Sequence, residues 1–173
     1  QITDLATAQL PNVLIVCDPP IPHYAGGQVT LAASSFNGAP GSGLHLEATG
    51  GPPLEFGFFL VSSSIGDPVG VFGGILCLGS PMARYDANVA ANHSNPSLIG
   101  VGAFDSLGIF QNLSGTSSIG SGFDVPEGLP FTPSGQIIVP GDVLYFHLWF
   151  RDQVAPLPNP GSSANFSNVL EAT

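Results

Sequence analysis

The residues of this chain that could do acid–base, metal or redox chemistry are few: four histidines, twelve carboxylates, two cysteines, Arg84 and Arg151. Lysine does not occur. Without it there is no Schiff-base nucleophile, no Ser-x-x-Lys pair and no phosphate-binding P-loop, and no Gly-x-Ser-x-Gly elbow is present. His45-Leu46-Glu47 has the spacing of one half of a zinc-deaminase site, but the Pro-Cys-x-x-Cys half is missing. His23, His45, His93 and His147 are scattered, which makes structural roles the default reading. Asp86, Asn88 and Asn92 offer oxygen ligands of the kind Ca2+ takes, against a default of a solvated or capped loop. No other metal or cofactor is expected, and the chain is read as not an enzyme.

Cys17 and Cys77 stand apart with no Cys-x-x-Cys or Cys/His ligand spacing around them. One disulfide is expected, with two buried thiols as the alternative, and a disulfide would place the chain in an oxidising, extracytoplasmic setting. The chain starts at Gln1 with neither an initiator Met nor a basic leader, which is expected for a mature form after signal-peptide removal. Asn92, Asn112 and Asn165 open Asn-x-Ser sequons, a number close to chance in a chain this rich in Ser and Asn.

Alternation of side chains every second residue defines the elements that would carry these groups. In the stretch GDVLYFHLWFRD, residues 141–152, Leu144, Phe146, Leu148 and Phe150 point one way. Val143, Tyr145, His147, Trp149 and Arg151 point the other, so neither face is plainly solvent-facing. EFGFFLVSS, residues 55–63, has the same character, with Phe56, Phe58 and Leu60 opposite Phe59 and Val61. LHLEATG, residues 44–50, is half-exposed instead: Leu44, Leu46 and Ala48 face the core, and His45, Glu47 and Thr49 face out. Further β-type runs lie at 12–17, 27–34, 73–79, 106–114, 135–140 and 165–173 between Pro- and Gly-rich breakers, and no segment keeps a helical period. These runs predict an all-β, antiparallel two-sheet sandwich of jelly-roll or Ig-like type with about nine strands. Residues 1–27 form an N-terminal arm and first strand, and 28–173 the sandwich, one globular domain overall.

The strands that are apolar on both faces need a second cover. The 80–105 stretch, the N-terminal arm or another molecule could supply it. Tyr145, His147 and Trp149 line that second face, as covered surface by default, or as an aromatic sugar platform or partner contact. Arg151-Asp152 is read as an ion pair or turn anchor at the strand end.

Only 8% of residues are charged, the formal net charge is −10 and 43% are hydrophobic. Nucleic acid is excluded as a partner for want of clustered cations, and an anionic membrane surface for the same reason. No run of apolar residues is long enough to insert into a bilayer as a helix.

The order LEATG, EFGFFLVSS, GILCLGSPMARY, VPGDVLYFHLWFRD, SSANFSNVLEAT resembles a domain of secreted proteins in planctomycetes and other environmental bacteria. The resemblance covers roughly residues 28–172 and rests on Gly57, Phe58 and Phe59, then Cys77, Gly79 and Arg84. It continues through Gly141, Trp149, Arg151 and Asp152 to Phe166, Ser167 and Asn168, with His147 where the family more often has Gln and Phe150 where it often has Tyr. The family has no assigned enzymatic activity and often closes larger exported proteins, which implies display, adhesion or assembly. The expected function is a non-enzymatic extracellular structural protein, a subunit of a surface filament, sheath or layer and a partner of its own copies. The arm residues Ile2, Leu5, Leu10, Val13 and Ile15 would donate a strand to a neighbour. The alternative is a cell-surface module that binds polysaccharide or adheres.

Overall fold

The alternating runs become strands whose faces follow the period-two pattern. The computed structural model describes residues 12–35, 42–85, 100–113, 117–131, 136–153 and 162–173. Twelve strands appear there: β1 (Val13–Val16), β2 (Thr30–Ser35), β3 (Leu44–Thr49), β4 (Phe56–Ser62), β5 (Ile65–Val71) and β6 (Gly74–Leu78), followed by β7 (Met82–Arg84), β8 (Val101–Phe104), β9 (Phe110–Asn112), β10 (Phe123–Asp124), β11 (Leu144–Gln153) and β12 (Ser162–Ala172). All strand pairings are antiparallel. A seven-stranded sheet runs β1-β12-β11-β4-β8-β9, with β7 also on β4. A three-stranded sheet, β10-β3-β2, faces it, and β5-β6 is a separate hairpin.

The all-β sandwich agrees with expectation, but the strand count does not, and the differences are local. Of the 135–140 run, the described residues 136–140 make only an isolated bridge, Gly128 to Ile137, and no strand. β5 was hidden because Gly66-Asp67-Pro68 reads as a breaker. In the fold Pro68 sits where the β5–β6 register shifts between Ile65 and Val69, a place where the ladder needs no donor. β7, β8 and β10 have only three, four and two residues, too few for alternation to declare itself.

One core fills the space between the two larger sheets. Leu144, Phe146, Leu148 and Phe150 of β11 face it together with Phe59 and Val61 of β4, and Leu31, Leu44, Leu46 and Ala48 come from the opposite sheet. Phe59 stacks on Phe123 at 5.4 Å and meets Phe110 edge-on at 5.4 Å. Each fully buried Phe contributes on the order of 1.5–3 kcal/mol. Gly57 lies opposite Phe150, and a Cβ there would come within 2.8 Å of the Trp149 carbonyl and 3.2 Å of the Phe150 Cβ, so a side chain would push β4 off β11.

Candidate functional site

The second face of β11 is covered by the β5–β6 hairpin. The N-terminal arm, residues 1–11, and residues 86–99 of the 80–105 stretch lie outside the described residues. Cys77, Leu78 and Val169 form a small core there with Val16, Cys17, Leu60, Ile75, Leu76 and Tyr145 packed against it. The Cys17–Cys77 disulfide ties the end of β1 to this hairpin, as expected, and points to a setting outside the reducing cytoplasm. Among the described residues no helix is long and apolar enough to cross a membrane.

Beneath the hairpin lies a buried polar knot. The β11–β12 register shifts between His147 and Trp149, so that Ser167 and Asn168 form a bulge. The polar side chains of Asn165-Phe166-Ser167-Asn168 then bond to groups on β11, on β2 and in the segment before β2. Leu148 N–H donates to Ser167 Oγ at 2.9 Å, and the Ser167 hydroxyl donates to the Asn168 carbonyl at 2.6 Å. Asn168 Oδ1 accepts Leu31 N–H at 2.7 Å and so bridges β12 to β2 of the facing sheet. Asn165 Nδ2 donates to Asp152 Oδ2 and to the Ile21 carbonyl, and Asp152 also accepts Tyr24 N–H at 2.9 Å. Asn168→Ala would leave the buried Leu31 N–H without an acceptor, at a cost of about 1–3 kcal/mol. A thermal melt should show this as a midpoint lowered by roughly 2–12 °C; an unchanged midpoint would mean the bridge is dispensable.

His147 sits in this knot with 0% exposure. Its Nδ1 is 3.3 Å from Ser167 Oγ and 3.2 Å from the Asn168 carbonyl, its Nε2 is 3.1 Å from the Ile75 carbonyl, and its ring stacks on Phe166. Burial pushes its pKa down to about 4, against the opposing pull of the two carbonyls. The Ser167–His147 pair superficially resembles a nucleophile and its base. The hydroxyl proton is engaged by Asn168 O, however, and both side chains are sealed under the hairpin. The arrangement holds strands together and presents no reacting atom to a substrate.

His147 thus takes the covered place that was the default for Tyr145, His147 and Trp149, and not the sugar-platform or partner contact given as the alternatives. Tyr145 is half-buried beside Glu171; burial and that carboxylate raise its pKa. Trp149 is half-buried and lies beyond the hairpin, stacked on Phe58 at 4.6 Å with Phe56 edge-on at 6.3 Å. The Arg84 guanidinium stands 5.1 Å over the Phe58 ring. Phe56 and Phe58, read in the sequence as one face of the 55–63 run, were not connected there with Trp149, whose neighbours they are in the fold.

His45, expected to face out, corrects an expectation. It leaves β3 on the outer side but is only 1% exposed, because the 117–124 segment closes over it. Its Nδ1 lies 2.6 Å from Asp124 Oδ1, and its Nε2 lies 4.0 Å from Glu47 Oε1. Among the described residues no group of three or more His, Cys, Asp or Glu side chains is placed to hold a metal ion. The Ca2+ candidates Asp86, Asn88 and Asn92 lie outside the described residues. Asn112 lies in β9, and Asn165 is a buried, hydrogen-bonded residue that a glycan could not share with the folded state. Arg151 is exposed and stands near enough to Glu55 to oppose the rise that burial causes in its carboxyl pKa.

Of the arm residues, Ile2, Leu5 and Leu10 lie outside the described residues. Val13 and Ile15 lie in β1, which pairs with β12 of the same chain from Val13↔Ala172 to Val16↔Val169. β1 is the outermost strand of the large sheet, so one side of its backbone meets no strand among the described residues. Leu14 and Ile15 are 59% and 46% exposed on it. No family model matches the chain, and no curated protein or solved structure matches it.

Proposed function

We propose that this chain is a non-enzymatic, exported structural protein, a subunit of an extracellular filament, sheath or layer that associates with its own copies. The observation that carries this reading is the β1 edge, which is open among the described residues. It has no charge, no Pro and no bulge from Asn12 to Val16, and it exposes apolar side chains on both faces. Proteins that stay apart protect such edges, and an unprotected one is a template for another strand. Exposed Phe72 and Val69 on the hairpin, and the scarcity of charge, support the same reading. The resemblance to exported domains supports the compartment, with the signal peptide as the route.

The test is particle size, by light scattering and electron microscopy of protein that has never been denatured. Regular particles larger than the monomer are expected. Ile15→Pro removes an N–H from the edge and should lower the particle mass by about half or more while leaving the melting temperature within a few degrees. A wild-type monomer at high concentration would overturn the proposal. The half-buried cluster of Phe56, Phe58 and Trp149 favours a second reading, a polysaccharide-binding or adhesion module, and a monomer that sediments with insoluble polysaccharide would select it.

A further inference from the structure

We infer that β1 pairs antiparallel with β1 of a second copy, about a two-fold axis that places Leu14 opposite Leu14. This rests on the self-association proposed above and names its contact. The hydrogen-bond phase of β1 is set by its cis partner. Thr173 N–H donates to the Asn12 carbonyl at 3.1 Å, which makes Asn12 and Thr173 a hydrogen-bonded pair. Pairs in an antiparallel ladder alternate, so Leu14 and Val16 turn their backbone groups to β12, while Val13 and Ile15 turn theirs to the open edge.

A strand that docks here must offer outward groups two residues apart, and β1 itself does. With Leu14 on the axis, Val13 exchanges both bonds with Ile15 of the other copy, and Ile15 with its Val13. The neighbouring registers fail for identifiable reasons. An axis at Val13 would set Ile15 opposite Pro11, which has no N–H to give. An axis at Ile15 would set Val13 opposite Cys17, whose φ of 54° takes it out of the strand conformation.

The occupant is a second copy because the edge is complementary to itself. Despite a net charge of −10, residues 12–17 carry no charge, so self-pairing puts no like charges opposite each other. Leu14 meets Leu14 on one face, and Val13 meets Ile15 on the other, which covers both exposed side chains at once. The disulfide at Cys17 holds the edge in place before it is used, which limits the ordering cost of association. The other edge of the sheet, β9, has only three residues and is a poorer template. Such a contact is isologous and closes at two copies, so a filament or layer would grow from this dimer through another face.

The test is Leu14→Cys, oxidised mildly and run on a non-reducing gel, beside Asn12→Cys. Opposed residues of a non-hydrogen-bonded pair are close enough for a disulfide, so Leu14→Cys should give roughly tenfold more linked dimer than Asn12→Cys, whose copies lie four residues out of register. Wild-type amide exchange supplies a measurement free of engineered thiols: the Val13 and Ile15 amides should be protected at high concentration and exchange about tenfold faster on dilution. Oligomers that neither crosslink at Leu14 nor protect those amides would overturn the β1 contact and leave self-association standing. Equal crosslinking of the two variants would also overturn it. A wild-type monomer would overturn both, and protection that persists at every dilution would assign the edge to another segment of the same chain.

Discussion

Reducing the Cys17–Cys77 disulfide is expected to destabilise the fold by about 4 kcal/mol, the chain-entropy value for the 60-residue separation it closes. The figure reflects mainly what the bond does to the unfolded chain, which loses a long loop's worth of freedom when cross-linked. In the folded state the loss is small, because Cys77 is 1% exposed among Leu78, Val169 and Ile75 and would remain as a small apolar side chain. Cys17→Ala with Cys77→Ala should therefore keep the fold but unfold at a urea concentration lower by roughly 2 M, for a slope of about 2 kcal/mol per molar. A midpoint shift under about 0.5 M would show that the unfolded chain is already compact enough for the cross-link to remove little. The effect is also local. Among the described residues β1 pairs with β12 alone and is tied by this bond, so its amides should lose protection before those of β11.

The second large effect is a stability that falls with acid because of His147. Its folded pKa is about 4 against 6.5 for a free imidazole, with burial the principal cause. A group depressed in this way binds a proton more readily when unfolded. Its contribution is complete above pH 6.5, is lost as the pH falls from 6.5 toward 4, and changes no further below that. The difference corresponds to about 3 kcal/mol across the window. His147→Gln keeps a hydrogen-bonding side chain in the knot and removes the titration. Urea unfolding at pH 7.5, 6 and 5 should show the wild type losing stability and the variant holding nearly level. Parallel losses in the two proteins would assign the acid sensitivity elsewhere.

Both effects originate in groups whose types were visible in the sequence and whose surroundings were not. The cysteine pair was legible because only one pairing exists. His147 was legible as part of a stripe whose default reading was a covered face, but nothing in the stripe said what covered it. Its cover, the β5–β6 hairpin, contains Gly66-Asp67-Pro68, which local rules read as an interruption. It survives as a strand because Pro68 falls at the register shift. Asn165, Ser167 and Asn168 look out of place in an apolar strand until the fold brings each to a backbone N–H: Phe166 and Leu148 at the irregular pairing, and Leu31 on the facing sheet.

The sequence by itself determined what alternation over neighbouring residues can encode. That includes the all-β class, the core face of β3, and the reading that β4 and β11 are covered on both sides; the disulfide was the expected state of the two cysteines, with buried thiols as the alternative. Alternation depends on positions two apart and is therefore local. Only the tertiary structure decided which element covers which face, because that choice depends on contacts far apart in sequence. His147 meets the Ile75 carbonyl, His45 meets Asp124, and Leu31 meets Asn168 across separations of 72, 79 and 137 residues. β1 shows the division most plainly: its apolar, uncharged composition marks it as a strand, while the phase of its pairing with β12 determines that Val13 and Ile15, and not Leu14, present their backbone to the outside.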